Sequence, residues 1–351
     1  MSHPKVRVGF VGVGAMGQAA HLRNYATLGD CEVVALAELR PALGRMVARK
    51  YNIPGVYSSH REMLEKETLD GIVASQPFRR HGTLLPELLA YKRPVFTEKP
   101  LAGSIAQGEK ILQALVASGT WHMVGYHKRS DPATRWARGE IDRLKATGEL
   151  GQMKYIRITM PAGDWIAGGF NDNIRGEDGP PLTWDPPAPD LDEPTNDAYI
   201  AFVNYYIHQV NLMRYLLGEP YHLTYADARN VLLVGESDSG VTCTIEMSPY
   251  ATTLDWQESA LVCFEKGWIR IDLPAPLAHN RPGRVTTFKD PGGANAPLEC
   301  GPQLPWVHAM RQQAMNFVAA IRGQGRPPCE AAEALEDLKI ARQYIRLRYG
   351  K

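Results

Sequence analysis

Three glycines close to the start of the chain are spaced as in a phosphate-binding turn. They follow a short apolar segment, residues 6–11, and precede a helix that the apolar spacing predicts from residue 16 to about 28. The first glycine of such a turn permits the sharp bend, the second lets the backbone approach a pyrophosphate, and the third lets helix and strand pack closely. Amide groups at the helix N-terminus then face the phosphates. The sequence therefore predicts a dinucleotide site at Gly12, Gly14, Ala15, Met16 and Gly17.

Residues after the second and third predicted strands complete this site. Glu38 follows Gly17 by about 20 residues, the position at which a carboxylate binds the adenine ribose hydroxyls and repels a 2′-phosphate. It therefore favours NAD over NADP, although Arg40 weakens this preference because a nearby arginine can accommodate the phosphate. Ser75 and Gln76 end the third strand, so we expect them to pass beneath the nicotinamide ribose.

Strands and helices alternate over the first 126 residues, which predicts parallel βαβ units covered by helices on both faces. The predicted strands are 6–11, 32–37, 71–74, 94–97 and 122–125. The helical stretches between them include 16–28, 41–51 and 81–91. We therefore predict an α/β Rossmann domain at residues 1–126.

The pattern changes after residue 127. A helix at 132–146 and a strand at 154–160 lead to a stretch rich in proline and glycine, 161–194. A helix at 196–217 comes next, followed by five predicted strands: 222–226, 230–234, 241–247, 259–264 and 268–273. A loop, 275–305, and two helices, 307–322 and 331–349, close the chain. Residues 127–351 therefore predict an α+β domain with an open, mainly antiparallel sheet.

Composition excludes several classes of partner. The 351 residues carry a formal net charge of +1, so no basic excess favours nucleic acid. No apolar run approaches the roughly 18 residues of a membrane helix. The opening residues lead directly into a strand, so we expect no signal peptide and a cytoplasmic protein. The five cysteines match no zinc spacing, so we expect reduced, packed thiols and no metal site.

A second motif, Glu98-Lys99-Pro100-Leu101-Ala102, follows the fourth predicted strand. With the glycine loop and with His81 in Phe78-Arg79-Arg80-His81, it resembles the Gfo/Idh/MocA family, named for glucose-fructose oxidoreductase and inositol dehydrogenase. The resemblance covers essentially the whole chain. It implies an NAD(P)-dependent dehydrogenase of sugars, cyclitols and related polyols. It also implies a homo-oligomer, dimeric or tetrameric, assembled through the open face of the C-terminal sheet.

The same resemblance assigns a catalytic role to Lys99. A cis bond before Pro100 would aim the lysine into the cleft, where it would contact the substrate hydroxyl that loses its proton as hydride leaves. An ammonium stabilises the developing alkoxide, and a partly desolvated lysine can accept the proton. Glu98 would position the lysine or the nicotinamide side of the cofactor. Glu98, Lys99 and His81 are therefore included in the predicted cofactor site.

The predicted helix at 196–217 carries the second constellation. Asn204, His208 and Asn211 share one face at i, i+4 and i+7 spacing. The resemblance implies that His208 is the second catalytic residue, a general base or hydroxyl-orienting group, and that Asn204 lines the substrate site. The two asparagines depart from the family pattern, which has carboxylates there. An amide cannot accept a proton, so a carboxylate-assisted relay is in doubt.

Two neighbouring segments supply further substrate-binding candidates. In Tyr126-His127-Lys128-Arg129, the family position implies that His127 or Lys128 reaches the substrate, whereas Arg129 has the alternative of an interdomain ion pair. Asp164 and Trp165 suit sugar recognition, because a ring covers C–H faces and a carboxylate accepts hydroxyls. Packing of Trp165 within its own loop is the alternative. Further candidates of this kind are Trp184, Asp185 and Tyr199.

Three functions compete on this reading. The first is an NAD-dependent oxidoreductase acting on a secondary alcohol of a sugar, glycoside or cyclitol. The second is a redox-neutral enzyme with tightly bound, recycled NAD, which couples two sugars or oxidises a glycoside at C3 to assist cleavage. The third is an NAD-binding regulator without catalysis. Lys99 and His208 argue against the third, whereas the missing helix carboxylates argue for it.

Overall fold

The computed structural model describes residues 4–350. The chain folds into two compact units that are not continuous in sequence. The first unit comprises residues up to Tyr126 together with Gly168–Asp192 and Met310–Leu338. The second comprises His127–Ala167, Glu193–Ala309 and the residues from Lys339.

A six-stranded parallel sheet forms the centre of the first unit, in the order β3-β2-β1-β4-β5-β6. Its strands are β1 (Val6–Val11), β2 (Cys31–Ala37), β3 (Gly55–Tyr57), β4 (Gly71–Ala74), β5 (Val95–Glu98) and β6 (His122–Gly125). The order reverses direction between β1 and β4, and ligands of such sheets bind at the carboxyl ends of the strands there.

Helices connect these strands. They are α1 (Gly17–Leu22, wound as a π-helix, continuing as Arg23–Tyr25), α2 (Pro41–Tyr51), α3 (His60–Lys66), α4 (His81–Leu89) and α5 (Ile105–Ser118). Edge-to-face aromatic contacts extend the core: Phe317 packs against Tyr25, Phe96 and Trp121. Phe317 is fully buried, so the segment after residue 310 is part of this core.

The second unit contains an eight-stranded sheet, in the order β14-β13-β12-β11-β7-β10-β9-β8. Its neighbours are antiparallel except β7 and β10, which are parallel. The strands are β7 (Met153–Ala162), β8 (Tyr221–Ala226), β9 (Leu232–Ser237), β10 (Thr242–Ala251), β11 (Glu258–Phe264), β12 (Gly267–Leu273), β13 (Arg284–Lys289) and β14 (Leu298–Cys300). The α-helices after β6 are α6 (Pro132–Thr147), α7 (Glu193–Tyr205), α8 (Ile207–Leu217), α9 (Ala309–Ile321) and α10 (Ala331–Tyr349).

The two faces of this sheet differ. Alternate apolar side chains, such as Ile156, Ile158 and Ile271, are fully buried on the side against which α6 and α8 pack. Arg157, Arg270 and other polar residues line an open groove, together with Trp256 and Trp306. The predicted fold class, a Rossmann unit and a second unit with an open, mainly antiparallel sheet, is confirmed.

Three local predictions were wrong. The predicted loop 275–305 contains β13 and β14, because the β-branched run at 285–287 extends the sheet beyond β12. The predicted helix 196–217 begins at Glu193 and is interrupted at Tyr206, where ψ is −2°. The cysteines form no disulfide, but Cys300 on β14 is exposed rather than packed. Among residues 4–350, we find no helix with both the length and the hydropathy needed to cross a membrane.

Candidate functional site

The glycine loop after β1 has the geometry that its spacing predicts. Gly12 has a φ of +88°, and a Cβ there would lie 2.1 Å from Nε2 of Gln76. A Cβ on Gly17 would lie 2.9 Å from the carbonyl oxygen of Gly12, where strand and helix pack. At Gly14 the nearest atom to a Cβ would be Nη2 of Arg40, at 3.6 Å. The space beside Gly14 is therefore open to a ligand, as a pyrophosphate requires.

A cavity of about 530 Å³ opens beside this loop, within the first unit. Its walls come from the carboxyl ends of β1, β2 and β4, from the start of α3 and from Gly179, Pro180 and Leu182. Gly12, Gly14, Glu38, Arg40, Ser75 and Gln76, six of the predicted cofactor residues, line it. The cavity lies where the strand order reverses, and the backbone at Gly14 is open to it. Both features fit a bound dinucleotide.

The Glu38 carboxylate lies in this wall, engaged by two groups. Arg40 donates to both of its oxygens, Nε at 2.8 Å and Nη2 at 3.0 Å, and the N–H of Val13 donates at 2.9 Å. Burial raises the pKa of Glu38, but the hydrogen bonds from Arg40 and Val13 outweigh it and hold the pKa below its usual value. The carboxylate is therefore ionised, and Arg40 offsets part of its charge.

His81 lies in the core rather than in the cavity wall. It is fully buried, with Nδ1 3.0 Å from the carbonyl oxygen of Leu101 and Nε2 3.3 Å from that of Gln76. Burial lowers its pKa, so the ring is neutral and can donate only one of these bonds. His81 thus connects the loop after β4 with the loop after β5.

The Glu98-Lys99-Pro100 motif ends β5, with a cis bond before Pro100 as the resemblance implies. Glu98 Oε1 accepts a 2.8 Å hydrogen bond from Nε2 of His21, and Oε2 accepts one from the Lys99 backbone N–H. Burial opposes ionisation of Glu98, but His21 and Lys99 hold its pKa below the usual value. Lys99 itself is half-buried. Glu98 is therefore a fixed anion that connects the helix after the glycine loop to the motif.

The segment Gly168–Asp192, which we call the strap, covers parts of the first unit. Asn173 donates to the carbonyl oxygen of Ala15, and Ile174 exchanges two hydrogen bonds with the side chain of Gln18. Its other end is fixed by Asp185, which accepts bonds of 2.7 Å from the Gly82 N–H and the Thr83 hydroxyl. The strap is thereby fixed at both ends, with Gly179 and Pro180 between them in the cavity wall.

His127 and His208 meet in the second unit. Their rings are edge-to-face, with centroids 4.5 Å apart. Asn211 accepts a 2.6 Å bond from Nε of Arg129, which also lies over the ring of Tyr215. That contact lies within the unit, and Arg129 is buried. Asn204, before the helix interruption, is exposed. The structure therefore brings His127 against His208, and Arg129 against Asn211.

Lys128 forms a buried ion pair. Its ammonium contacts Oε2 of Glu258, and both residues are less than 5% exposed. Glu258 also accepts bonds from Nε2 of Gln209, at 2.7 Å, and from Nε1 of Trp256, at 3.1 Å. The Lys128 ammonium, predicted to reach substrate, is thus engaged within its own unit.

The remaining candidates lie apart from these clusters. The Asp164 carboxylate accepts bonds from the backbone N–H groups of Ile166 and Ala167, in a turn that includes Trp165. Tyr199 is a core residue. Trp184, on the strap, has the guanidinium of Arg79 over its ring. These contacts give Asp164, Tyr199 and Trp184 structural roles within their own segments, and none of the three joins the clusters described above.

Several residues of these clusters were not anticipated from the sequence. His21 and Gln18 follow the glycine loop on α1, but nothing in their spacing signals partners at residues 98 and 174. Glu258 is a single carboxylate at the start of a strand. Among residues 4–350, no cluster of three or more His, Cys, Asp or Glu side chains could hold a metal ion.

Comparisons with known proteins agree with this geometry. Residues 6–126 match the model of the Gfo/Idh/MocA family, an oxidoreductase family with an NAD-binding Rossmann fold. Over 355 aligned residues, 96% of this chain and 93% of the relative, the chain is 21% identical to the uncharacterized oxidoreductase YrbE of Bacillus subtilis (strain 168). It is 25% identical to scyllo-inositol 2-dehydrogenase (NAD(+)) of the same organism, over 71% of this chain and 68% of the relative.

A solved structure extends the likeness in fold. The aldose-aldose oxidoreductase of Caulobacter crescentus, complexed with glycerol, superposes with a TM-score of 0.70 at 18% identity, covering 99% of this chain and 98% of that one. The resemblance inferred from the glycine loop and the Glu98-Lys99-Pro100 motif is thus confirmed by the family match, the relatives and the fold. The chain is an oxidoreductase whose residues 6–126 match the NAD-binding Rossmann fold of the Gfo/Idh/MocA family.

Proposed function

We propose that the chain is a cytoplasmic NAD-dependent dehydrogenase that oxidises a secondary alcohol of a sugar, glycoside or cyclitol. One observation carries this proposal. The cavity beside the glycine loop and the Glu98-Lys99 motif lie at the carboxyl edge of one parallel sheet, on β1, β4 and β5. Relatives named as inositol dehydrogenases favour a polyol substrate.

The residues of the chain would then divide the work. When bound, the dinucleotide exchanges a hydride with the substrate carbon. Lys99 would stabilise the developing alkoxide with its ammonium, and Glu98, held by His21, would fix the backbone from which Lys99 extends. His208, beside His127, would orient the hydroxyl or take its proton. The carbonyl oxygen of Asn211 accepts a hydrogen bond from Nε of Arg129, so a carboxylate relay has no part in this scheme.

Lys99→Ala tests the proposal. We expect turnover to fall by at least about 10²-fold, the lower range for a general acid–base group, while the dinucleotide stays bound. Reduction of NAD is followed near 340 nm on a panel of sugars, glycosides and cyclitols, and binding by nucleotide fluorescence. Lys110→Ala, an exposed lysine on α5, is the control. Wild-type turnover in Lys99→Ala would exclude this assignment.

NAD is proposed as the preferred form of the cofactor. The support is the ionised Glu38 in the cavity wall, which repels a 2′-phosphate even though Arg40 offsets part of its charge. Glu38→Gln should therefore lower the dissociation constant of NADP relative to that of NAD. Equal affinities in the wild-type protein would contradict the preference.

A second candidate function is redox-neutral chemistry with retained NAD, and the strap favours it. The strap is fixed to the glycine-loop side by Asn173 and to α4 by Asp185, with part of the cavity wall between them. Release of a dinucleotide from beneath it would require these bonds to break. Mass spectrometry of the denatured, purified protein decides: a stoichiometric dinucleotide supports retention, and an empty protein contradicts it.

We also propose that the chain forms a homo-oligomer through the open face of the second sheet. Trp306, 82% exposed, and Trp256 line the groove on that face. Light scattering coupled to size exclusion should give a dimer or tetramer, which Trp306→Asp should weaken. A monomer at micromolar concentration would contradict the proposal.

A further inference from the structure

Glu258 is a buried carboxylate that the proposed chemistry leaves without a role. It begins β11 and is 1% exposed. Three donors converge on it: the Lys128 ammonium, the Gln209 side-chain amide and the Trp256 indole N–H. Burying an ion pair is costly, and replacing such pairs by apolar residues is often neutral for stability. Its presence therefore invites an explanation beyond stability.

The partners of Glu258 are the immediate neighbours of the two site histidines. Lys128 follows His127 in the 3₁₀ turn His127–Ser130, and Gln209 follows His208 in α8. The two oxygens of Glu258 are divided between them, Oε2 to Lys128 and Oε1 to Gln209. One carboxylate thus fixes the backbone beside each histidine.

The contact between the histidines matches this arrangement. Their rings meet edge-to-face with centroids 4.5 Å apart, and the bond from Arg129 to Asn211 joins the same two segments a second time. Fixed neighbours on both sides limit how far either ring can shift. A displacement of about 1 Å at a reacting centre can cost about 10²-fold in rate.

We propose that Glu258 is a positioning residue. By bridging Lys128 and Gln209, it holds the His127 and His208 rings in the positions that the substrate requires. It does not touch the reacting atoms. This inference rests on the proposed function, since it takes His208 as a residue at the reacting centre.

Glu258→Gln tests it, because the amide keeps the shape but provides one acceptor oxygen in place of two charged ones. We expect kcat to fall by about 10- to 100-fold, with the KM for NAD and the affinity for the dinucleotide within about twofold of wild type. Glu246→Gln, a half-buried carboxylate on β10 of the same sheet, is the control and should keep wild-type kcat. Glu258→Asp should recover part of the lost rate.

A second variant separates positioning from folding. Lys128→Met/Glu258→Gln removes both buried charges, so its Tm should lie closer to wild type than that of Lys128→Met alone. Its kcat should nevertheless stay at the level of Glu258→Gln. Recovery of kcat along with Tm would show that Glu258 serves stability only, and would overturn the proposal. So would wild-type kcat in Glu258→Gln.

A crystal structure of Glu258→Gln provides a readout that does not depend on turnover. We expect the His127 and His208 rings to leave the 4.5 Å edge-to-face contact. Unchanged rings would overturn the inference. Failure of the proposed function has a different signature, because Lys99→Ala would then match wild type whatever the rings do.

Discussion

Glu98 in the first unit and Glu258 in the second are both carboxylates with little solvent exposure, beside residues proposed to act on substrate. Glu98 ends a strand, and its side chain has one partner, His21, while its second oxygen accepts from its own neighbour in the chain. Glu258 begins a strand and accepts from three side chains, all distant in sequence except Trp256. The Glu98 side chain is 13% exposed, whereas that of Glu258 has no exposed surface.

The difference shows two ways of fixing a site. In the first unit the backbone positions most of the site: a glycine turn, the strand ends and one motif place the cofactor-site residues. The Glu98 carboxylate adds one side-chain hydrogen bond, with His21. In the second unit the candidate histidines lie on a short turn and on a helix, and side-chain bridges join those elements. We expect the second arrangement to depend far more on each polar partner.

Lys128→Met should have the largest effect on folding. It leaves the Glu258 carboxylate buried without its cation, which costs about 3–5 kcal/mol in comparable pairs. Urea unfolding measures the loss. Lys154→Met removes an ion pair with Glu265 that is exposed on the same sheet, and should leave the free energy of unfolding close to that of wild type. An equal loss of unfolding free energy in Lys128→Met and Lys154→Met would contradict this prediction.

His21→Ala is expected to cost less, about 1–3 kcal/mol, because the partly exposed Glu98 regains some hydration. Thermal unfolding with and without NAD separates the effects on stability and on the cofactor site. His60→Ala breaks a more exposed His–Glu pair in the same unit and serves as reference. A His21→Ala loss as large as that of Lys128→Met would show that the two carboxylates are equivalent.

Gly14→Ala should leave stability nearly unchanged and weaken dinucleotide binding by about tenfold or more, about 1.4 kcal/mol. The added methyl group points into the open space beside the glycine loop, 3.6 Å from the nearest atom, Nη2 of Arg40. Gly29→Ala, with no atom within 4 Å, is the matched control. Calorimetric titration with NAD measures both. Unaltered affinity in Gly14→Ala would place the pyrophosphate elsewhere.

The smallest effect is expected for Asp185→Ala, about 1 kcal/mol, as for the loss of a helix cap. Asp185 accepts two bonds from the first turn of α4, and the strap should loosen at that end. Bound dinucleotide should then dissociate faster, which stopped-flow displacement measures. Asp178→Ala, exposed on the same strap, should behave as wild type. An unchanged dissociation rate in Asp185→Ala would mean that the strap does not limit release.

These contrasts also show how far the sequence predicts the molecule. The glycine loop and the strands β1, β4 and β6 follow from local patterns, because each depends on neighbouring residues. The cis bond before Pro100 was expected from the family resemblance. The strap does not, because its place is set by bonds between residues such as Gln18 and Ile174. β13 was missed for a related reason. It is short and half-exposed, and its alternation identifies it as a strand only once its pairing with β12 is known.

The candidate site divides in the same way. The cavity residues Gly12, Gly14 and Glu38 were predictable from spacing alone. His127 and His208 were named as substrate residues from the resemblance, and their contact with each other was not foreseen. Lys128 was expected to reach substrate, yet a partner 130 residues away engages its ammonium. Roles that depend on such long-range partners cannot be read from the sequence.

The return of the chain to the first unit has a consequence for modular engineering. Phe317, from the segment 310–338, completes the aromatic core around Tyr25 and Phe96, and the strap supplies part of the cavity wall. A recombinant fragment that stops at residue 126 would lack both and would expose those rings to water. Chimeras that graft the dinucleotide unit between relatives must therefore exchange three stretches of gene together.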